Sequence, residues 1–243
     1  MFSQSFEIFM SGNTFVLFSN LHLLTLFLVA LICIIVPYKM KGSDQGSIDK
    51  MSKAIAFILI AHVISSPFKD IYYLENPYNW KEALPLHMCD LSEIFVAWFL
   101  LGGPKICYKI AFFWGMAGAT IAMVTPDISA YDTEYIYFFV GHGMIVLGIM
   151  FATVTLGNRP LLRDAGLVSL ITVFGLVPAV YTINLVLGDS ANYWYLMKKP
   201  EGASLLDFFP APPYHILITI PIAIITFYII YIPFLIKDNL QNK

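Results

Sequence analysis

Charged side chains are scarce in this chain, and their scarcity excludes an ordinary soluble domain. Asp, Glu, Lys and Arg together make up 12% of the 243 residues, against about 25% in soluble domains. Hydrophobic residues make up 58%, and the mean hydropathy is +0.74. These values predict a polytopic membrane protein. The net charge of −2 gives no sign of a nucleic-acid partner, so none is expected.

Cysteine is also in short supply. The three cysteines, Cys33, Cys89 and Cys107, are odd in number and unrelated in spacing, which argues against a disulfide framework and against a zinc module. We therefore expect no metal and no cofactor. The first ten residues lack the basic region of a signal peptide, so the first hydrophobic run is expected to remain as a helix. Internal repeats are lacking as well, which predicts a single domain over residues 1–243.

Long apolar runs, by contrast, are abundant. Runs of membrane-spanning length recur seven times. The second is the weakest, because Lys69 and Asp70 interrupt its end. The third carries Asp90 and Glu93, which must face protein or water rather than lipid. The pattern predicts an all-α fold with seven transmembrane helices at residues 19–37, 54–72, 85–102, 105–124, 135–156, 164–187 and 213–236.

The basic residues favour one orientation in the membrane. Lys and Arg are concentrated in alternate loops, whereas the loop around Asp127, Asp132 and Glu134 is purely acidic. By the positive-inside rule, this predicts the N-terminus outside and the C-terminus in the cytoplasm. Lys198 and Lys199 are an exception, because this topology places their loop outside. The basic positions that support the orientation are Lys39, Lys41, Lys50, Lys53, Lys105, Lys109, Arg159, Arg163, Lys237 and Lys243.

Polar residues that are unusual in membrane helices fall at one predicted depth. Ionisable side chains in the bilayer cost roughly 2.5–3.5 kcal/mol each, so they are rarely present for packing alone. A thiol, imidazoles and carboxylates placed together suggest nucleophilic chemistry or a metal. With the N-terminus outside, the residues expected in the outer part of the bundle are His22, Asp70, His87, Cys89, Asp90, Asp127, His142, Asn184, Asn192, Tyr193 and Tyr195.

Cys89 is the candidate nucleophile of this cluster. His87 and Cys89 are two residues apart, so they point away from each other on a regular helix. The base is therefore expected from another helix, and His142 is the best placed. Asp90 and Asp127 are the candidates for orienting that histidine, which completes a predicted catalytic set of nucleophile, base and orienter.

Each of these residues also has a simpler interpretation. Cys89 can be a small buried hydrophobe. His142 lies between Gly141 and Gly143, and the three can form a packing face with one hydrogen-bonded histidine. Asp127 follows a proline, where it can cap a turn.

The remaining polar residues of this end are candidates for substrate binding. The amide of Asn184 can donate to an oxyanion or to a lipid phosphate, or it can only bridge helices. His87, Asn192 and Tyr193 complete the predicted substrate-binding set. Aromatic residues make up 16% of the chain, and the aromatic loop at residues 193–195 suits an interfacial rim through which lipid enters.

Several motifs together resemble the bacterial YwaF-type integral membrane proteins. The resemblance covers the second to seventh helices. Members of that family often carry His-His-Gly where this chain has Gly141-His142-Gly143, so any role of the first histidine is absent here. The motifs are Leu84-Pro-Leu-His-Met-Cys89, Trp114-Gly-Met-Ala-Gly, Thr125-Pro-Asp127, His142-Gly143, Asn192-Tyr-Trp-Tyr-Leu-Met-Lys-Lys-Pro200 and Ala203-Ser-Leu-Leu-Asp207.

The resemblance implies a chemistry. Eukaryotic relatives of the family are seven-helix acyltransferases that remodel ether phospholipids with a cysteine nucleophile and a histidine from separate helices. A wider set of membrane fatty-acid-ester hydrolases uses threonine and histidine similarly. Carried over by motif, the implied nucleophile is Cys89 and the implied base is His142. The implied partners are membrane lipids, and the implied location is a bacterial cytoplasmic membrane.

Two other classes of function compete with acyl transfer. A small-solute transporter or sensor would use the buried polar groups as a solute or proton site, but matching halves are lacking in the sequence. A zinc-dependent seven-helix lipid hydrolase needs paired histidines late in the chain, where only His215 is present. The last helix also lacks an interior lysine, which excludes a retinal Schiff base. We rank acyl chemistry first, transport or sensing second and zinc hydrolysis third.

Overall fold

Each of the seven predicted segments contains a helix in the structure. A computed structural model describes residues 14–73, 79–188, 190–199 and 205–241, without the side chains of 68–73 and 205. The side chains of Lys69 and Asp70, and residues Pro200, Ala203 and Lys243, fall outside this description. Across the described ranges the chain forms helices and no strand. The seven helices are α1 (Asn20–Met40), α2 (Gln45–Tyr73), α3 (Met88–Leu100), α4 (Lys105–Val124), α5 (Thr133–Thr155), α6 (Leu162–Leu187) and α7 (Ile216–Gln241).

Five of the seven helices are long and apolar enough to cross a membrane, namely α1, α4, α5, α6 and α7. The other two depart from the predicted bounds. Helix α2 begins at Gln45 rather than near residue 54, because Asp44 caps it: Asp44 Oδ1 accepts the N–H of Ser47 at 2.9 Å. Helix α3 has 13 residues and begins at Met88 rather than at residue 85. The count of seven spans and the orientation of the termini stay predictions.

Two of the helices contain turns of π-helix. Helix α5 ends in such a segment at Phe151–Thr155, and α6 contains one at Ile171–Leu176. The second lies directly before Pro178, which cannot donate a backbone hydrogen bond. A proline inside a helix is expected to kink it, and here the π-helical turn widens α6 just before Pro178. Within that turn the Thr172 hydroxyl accepts a hydrogen bond from Trp114 Nε1 at 2.9 Å.

Helix α4 lies at the centre of the bundle. Its side chains Phe113, Trp114 and Ala119 are completely buried, and it packs against α3, α5, α6 and α7. Helix α1 packs on the outside of α5, and α2 packs on α3 and α5. The small residue Gly115 permits the close approach of α4 and α5, because a Cβ there would lie 2.5 Å from Ile149 Cδ1.

Consecutive helices run in opposite directions, so their ends gather at two opposite ends of the bundle. One end, here called the cysteine end, joins the start of α1 to the end of α4, where His22 Nε2 donates to the Met123 carbonyl at 2.9 Å. The other, the arginine end, joins α5, α6 and α7: Arg159 pairs with Asp238, and Lys109 pairs with the buried Asp164 at 2.8 Å. Of the polar residues singled out in the sequence, His22 lies in the first turn of α1 and Cys89 in the first turn of α3.

The α4–α5 contact gives a test of the helix packing. We expect Gly115→Ala to lower the unfolding midpoint in detergent, because the added methyl overpacks the contact with Ile149 at a cost of about 1–3 kcal/mol. Gly118→Ala is the matched control on the same helix, since a Cβ there meets nothing within 4 Å. It should leave the midpoint unchanged or raise it. Equal midpoints for the two variants would contradict the packing described.

Candidate functional site

Helix α3 begins inside the bundle, beneath a loop formed by residues 190–199. Tyr193 is almost completely buried, and its hydroxyl donates to the Lys81 carbonyl at 2.8 Å and accepts the N–H of Leu84 at 2.9 Å. Trp194 Nε1 donates to the Leu86 carbonyl at 2.8 Å. These bonds hold the segment before α3 in a non-helical form, which explains why the helix starts late. With 13 residues, α3 is about 20 Å long, shorter than the roughly 30 Å hydrocarbon core.

The covering loop is itself fixed by two asparagines that the sequence assigned to substrate binding. Asn184, on α6, is 1% exposed; its Oδ1 accepts the N–H of Tyr193 at 2.9 Å and its Nδ2 donates to the Tyr193 carbonyl at 3.0 Å. Asn192 Oδ1 accepts the backbone N–H groups of Met197 and Lys198 at 3.1 and 2.9 Å. Both amides therefore hold the loop. A role of Asn184, Asn192 or Tyr193 in binding substrate stays a prediction.

The loop turns sharply above α3. Trp194 and Tyr195 have φ angles of +60° and +52°, a left-handed conformation that costs non-glycine residues of order 1–2 kcal/mol each. Two contacts stabilise the turn: the Trp194 ring packs edge-on against Trp114 at 5.3 Å, and His215 Nε2 donates to the Tyr195 carbonyl at 2.7 Å. His215 precedes the last helix beside Pro212 and Pro213, a position that suggested a residue at the membrane interface. It is instead buried, because this loop covers it.

Cys89 lies in the first turn of α3, half-buried. The preceding His87 packs its ring against Tyr193 and Tyr195, with centroids 5.0 and 5.9 Å apart. Asp90 accepts the backbone N–H of His87 at 3.0 Å and so caps the helix. His87 and Asp90 are three residues apart, a spacing from which their pairing on a helix is expected. In the structure they pair through the His87 backbone N–H.

Tyr195 connects the loop to residues of two helices. Burial raises the pKa of the Tyr195 phenol, and the negative charge of Asp127 and that of an ionised Cys89 raise it further. The pKa of Tyr195 therefore responds to charged groups on α3 and after the end of α4. That Cys89, Asp127 and Tyr195 form one site at this end of the bundle stays a prediction.

His142 lies about two and a half turns into α5. Its Nδ1 donates to the Phe138 carbonyl at 2.8 Å, since a carbonyl can only accept. The ring also stacks on Phe138, with centroids 4.1 Å apart. In the neutral imidazole the lone pair is then on Nε2, which is the protonation state that a general base requires. The pairing of His142 with Cys89 stays a prediction.

A second ionisable pair lies at the junction of α2, α3 and α5. His62 Nδ1 is 3.0 Å from Glu93 Oε2, and His62 Nε2 is 3.2 Å from the Tyr137 carbonyl. Glu93 is 3% exposed. The His62 ring stacks on Tyr137 at 4.1 Å and fits against Gly141, where a Cβ would lie 2.3 Å from His62 Cε1.

The pairing of His62 with Glu93 was not predicted from the sequence. A signal was present, because Glu93 in an apolar helix needs a partner inside the protein. The histidine of the neighbouring helix is such a partner. The glycine beside His142 that makes room for its ring was interpreted only as a packing residue.

The other buried histidine of the cysteine end, His22, has both ring nitrogens in hydrogen bonds. Nδ1 accepts the backbone N–H of Phe18 at 3.0 Å, and Nε2 donates to the Met123 carbonyl. From the sequence, His22 could either join the polar cluster or cap the first helix. In the structure it ties the start of α1 to the end of α4. Across the parts of the chain that are described, no three His, Cys, Asp or Glu side chains are grouped closely enough to hold a metal ion.

Comparison with known families gives one match, and it covers residues 17–231. The chain belongs to the TMEM164 family, a family of membrane proteins. Together with its five long apolar helices, this identifies an integral membrane protein. No curated protein and no solved structure matches the chain.

The amide of Asn184 provides a test of how the loop is held. We expect Asn184→Leu to lower the free energy of unfolding by about 2–4 kcal/mol, because two buried backbone groups of Tyr193 lose their partners. Limited proteolysis should then cut within residues 190–199. Thr182→Ala is the control on the same helix, since its exposed hydroxyl bonds only within α6. Unchanged proteolysis in Asn184→Leu would be inconsistent with this role.

The convergence at Tyr195 can be tested by titration. We expect Asp127→Asn to lower the pKa of Tyr195, because removing a nearby negative charge makes the phenolate easier to form. The measurement is the ultraviolet absorbance of tyrosinate against pH, with Tyr195→Phe in both backgrounds to isolate its contribution. Asp132→Asn, which removes another acid of the same loop, should leave Tyr195 unchanged. An identical Tyr195 titration in Asp127→Asn would show that the two groups are not close.

Proposed function

We propose that this protein transfers or hydrolyses acyl groups of membrane lipids, with Cys89 as nucleophile and His142 as acid–base group. The observation that carries the proposal is the position of Cys89 in the first turn of α3, where the preceding His87 packs against Tyr193 and Tyr195 of a loop fixed by hydrogen bonds. The kinship with YwaF-type proteins, the bacterial cytoplasmic membrane as location, seven spans and an outer-facing cysteine end belong to the same proposal.

The position of Cys89 suits a nucleophile. Backbone N–H groups in the first turn of a helix have no partner in the helical hydrogen-bond ladder. Directed at a carbonyl that the thiol attacks, they stabilise the negative oxygen that develops in the transition state. The loop above α3 excludes bulk water, which strengthens these interactions. An ester carbonyl lying beside the first turn of α3 would meet both the thiol and the donors.

The reaction proceeds in two steps. The Cys89 thiol gives its proton to a base of the site as the sulfur attacks the ester carbonyl. The carbon–oxygen bond to the lipid alcohol breaks, and that alcohol leaves with a proton supplied by His142, which enters this step in its protonated form. The acyl group is then held as a thioester. In the second step, a lipid hydroxyl or water gives its proton back to His142 and attacks the thioester, which releases the Cys89 thiol. Transfer and hydrolysis differ only in the acceptor.

The neighbouring residues have supporting roles in this proposal. Asp127 follows the end of α4, at the cysteine end, where its charge can orient a histidine that carries a proton. Asp90 holds the first turn of α3 through the His87 N–H. The rings of His87, Tyr193 and Tyr195 form the aromatic wall along which a lipid would enter.

One observation favours a second function, a proton or solute site without catalysis. The pair of His62 and Glu93 is ionisable and buried between three helices, as in membrane transporters and sensors. Acyl transfer ranks above it because this function leaves the thiol and the loop above it without a role.

The test is acyl transfer by the purified protein in mixed micelles with a phospholipid that carries a labelled acyl chain. We expect the wild type to form a labelled acyl-protein that hydroxylamine cleaves, and Cys89→Ala to form none. His142→Ala should lower the rate by about 10²–10⁴-fold, the usual contribution of a positioned acid–base group.

Cys107→Ala is the matched control, since Cys107 is buried on the neighbouring helix α4 and should keep full activity. Labelled product from a folded Cys89→Ala variant would eliminate the cysteine mechanism. Failure of all variants and the wild type with phospholipid donors would direct attention to the transport alternative.

A further inference from the structure

The pair of His62 and Glu93 shares a single proton. The Tyr137 carbonyl can only accept, so His62 Nε2, 3.2 Å away, must carry a hydrogen. A further proton must then lie between His62 Nδ1 and Glu93 Oε2, which are 3.0 Å apart. Whether this proton is closer to the nitrogen or to the oxygen, the pair has no net charge. This neutrality lets it occupy a site almost closed to water.

Glu93 shares a face of α3 with Cys89. The two residues are four apart, which places their Cβ atoms about 5–6 Å from each other. Long side chains of a helix lean back over the preceding turn, so the Glu93 side chain is expected to lean toward the turn that carries Cys89. Asp90 is the other acid of this turn. Asp90, however, already accepts the His87 N–H.

We propose that Glu93, backed by His62, accepts the proton of the Cys89 thiol when the sulfur attacks. This deepens the acyl-transfer function proposed above and rests on it. It assigns the thiol proton to Glu93 and leaves the protons of the leaving and entering alcohols to His142.

The proton transfer balances without any further reactant. The thiol proton moves to one carboxylate oxygen of Glu93, while the shared proton is on His62 Nδ1. His62 then carries a positive charge, stabilised by the Tyr137 carbonyl at Nε2. This charge offsets the negative oxygen of the tetrahedral intermediate. The proton returns by the same route when the thiol is released from the thioester.

The positions of neighbouring residues fit this relay. Gly141 leaves room for the His62 ring, since any Cβ there would overlap it. The Tyr137 hydroxyl donates to the His62 carbonyl at 2.6 Å, which ties α2 to α5 beside the pair. The relay is therefore held by three helices, and His62 is a positioning residue for the acid group rather than a contact of the substrate.

The experiment is the rate of alkylation of Cys89 by iodoacetamide at neutral pH in detergent, followed by mass spectrometry at each cysteine. Glu93→Gln is the decisive variant. Its side-chain amide can still donate to His62 Nδ1, so the hydrogen bond and the fold are kept while the proton acceptor is lost. We expect alkylation of Cys89 to slow by about 10²-fold.

The sign of the effect separates the proposal from simpler roles. If Glu93 were only a fixed negative charge near the thiol, Glu93→Gln would speed alkylation, because a thiolate would form more readily. If Glu93 were only a packing residue, the rate would not change. Either result overturns the proposal. Glu82→Gln, in the exposed loop before α3, is the control and should react as the wild type does.

Folding and function can be kept apart in this experiment. Unfolding midpoints identify variants that have lost the fold, and Glu93→Asp, which keeps a carboxylate but draws it back, replaces Glu93→Gln if that variant does not fold. It should react more slowly than the wild type, and an equal or faster rate would overturn the proposal. Because alkylation needs no lipid, a slow Glu93→Gln with no acyl transfer in the wild type would reject the lipid function alone.

Discussion

The bundle is organised by the need to satisfy every polar group without water. In the hydrocarbon region an unpaired donor or acceptor costs several kcal/mol, so each must find a partner inside the protein. Several of these partners lie on different helices. Trp114 of α4 donates to Thr172 of α6, and His22 of α1 donates to the end of α4. The buried carboxylate of Glu93 is matched by the imidazole of α2.

The same need explains the loop at the cysteine end. A 13-residue α3 leaves the backbone of the preceding segment outside the helix, so its polar groups need partners from elsewhere in the protein. Tyr193 and Trp194 supply the missing partners, and Asn184 satisfies the backbone of Tyr193 in turn. The result is a closed chain of hydrogen bonds from α6 through the loop to the start of α3. A side chain placed there has neighbours that hydrogen bonds hold in position, although their backbone is irregular.

Much of the fold follows from the sequence, because the apolar runs report burial in lipid directly. The seven segments were predicted, and the convergence of polar residues at one end followed from their alternating direction. The start of α3 was wrong, since Leu84, Pro85 and Leu86 are as apolar as a helix and the bonds that hold them elsewhere come from a loop about a hundred residues later. Local pattern carries no information about such distant partners.

The site was predictable to a lesser degree. Cys89 and Asp127 were expected at the same end of the bundle from the alternating direction of the segments, and that they lie near each other stays a prediction. The pair of His62 and Glu93 was missed, because recognising it requires the rotation of α2 about its axis, which an apolar run with little amphipathic character does not fix. Asn184 illustrates the opposite difficulty: a buried amide has the same sequence signal whether it binds a ligand or the backbone of its own chain.

The loop over α3 has a consequence for how the protein is made. A protein chain is synthesised from the N-terminus onward, so α3 is made long before residues 190–199 exist. Until α6 and this loop arrive, the segment before α3 lacks the partners that fix it, and the Cys89 thiol has no cover. The environment of the thiol is therefore completed only when most of the chain has been translated. Assembly of the site is one of the last events of biogenesis, which delays any chemistry at the thiol until the bundle around it has closed.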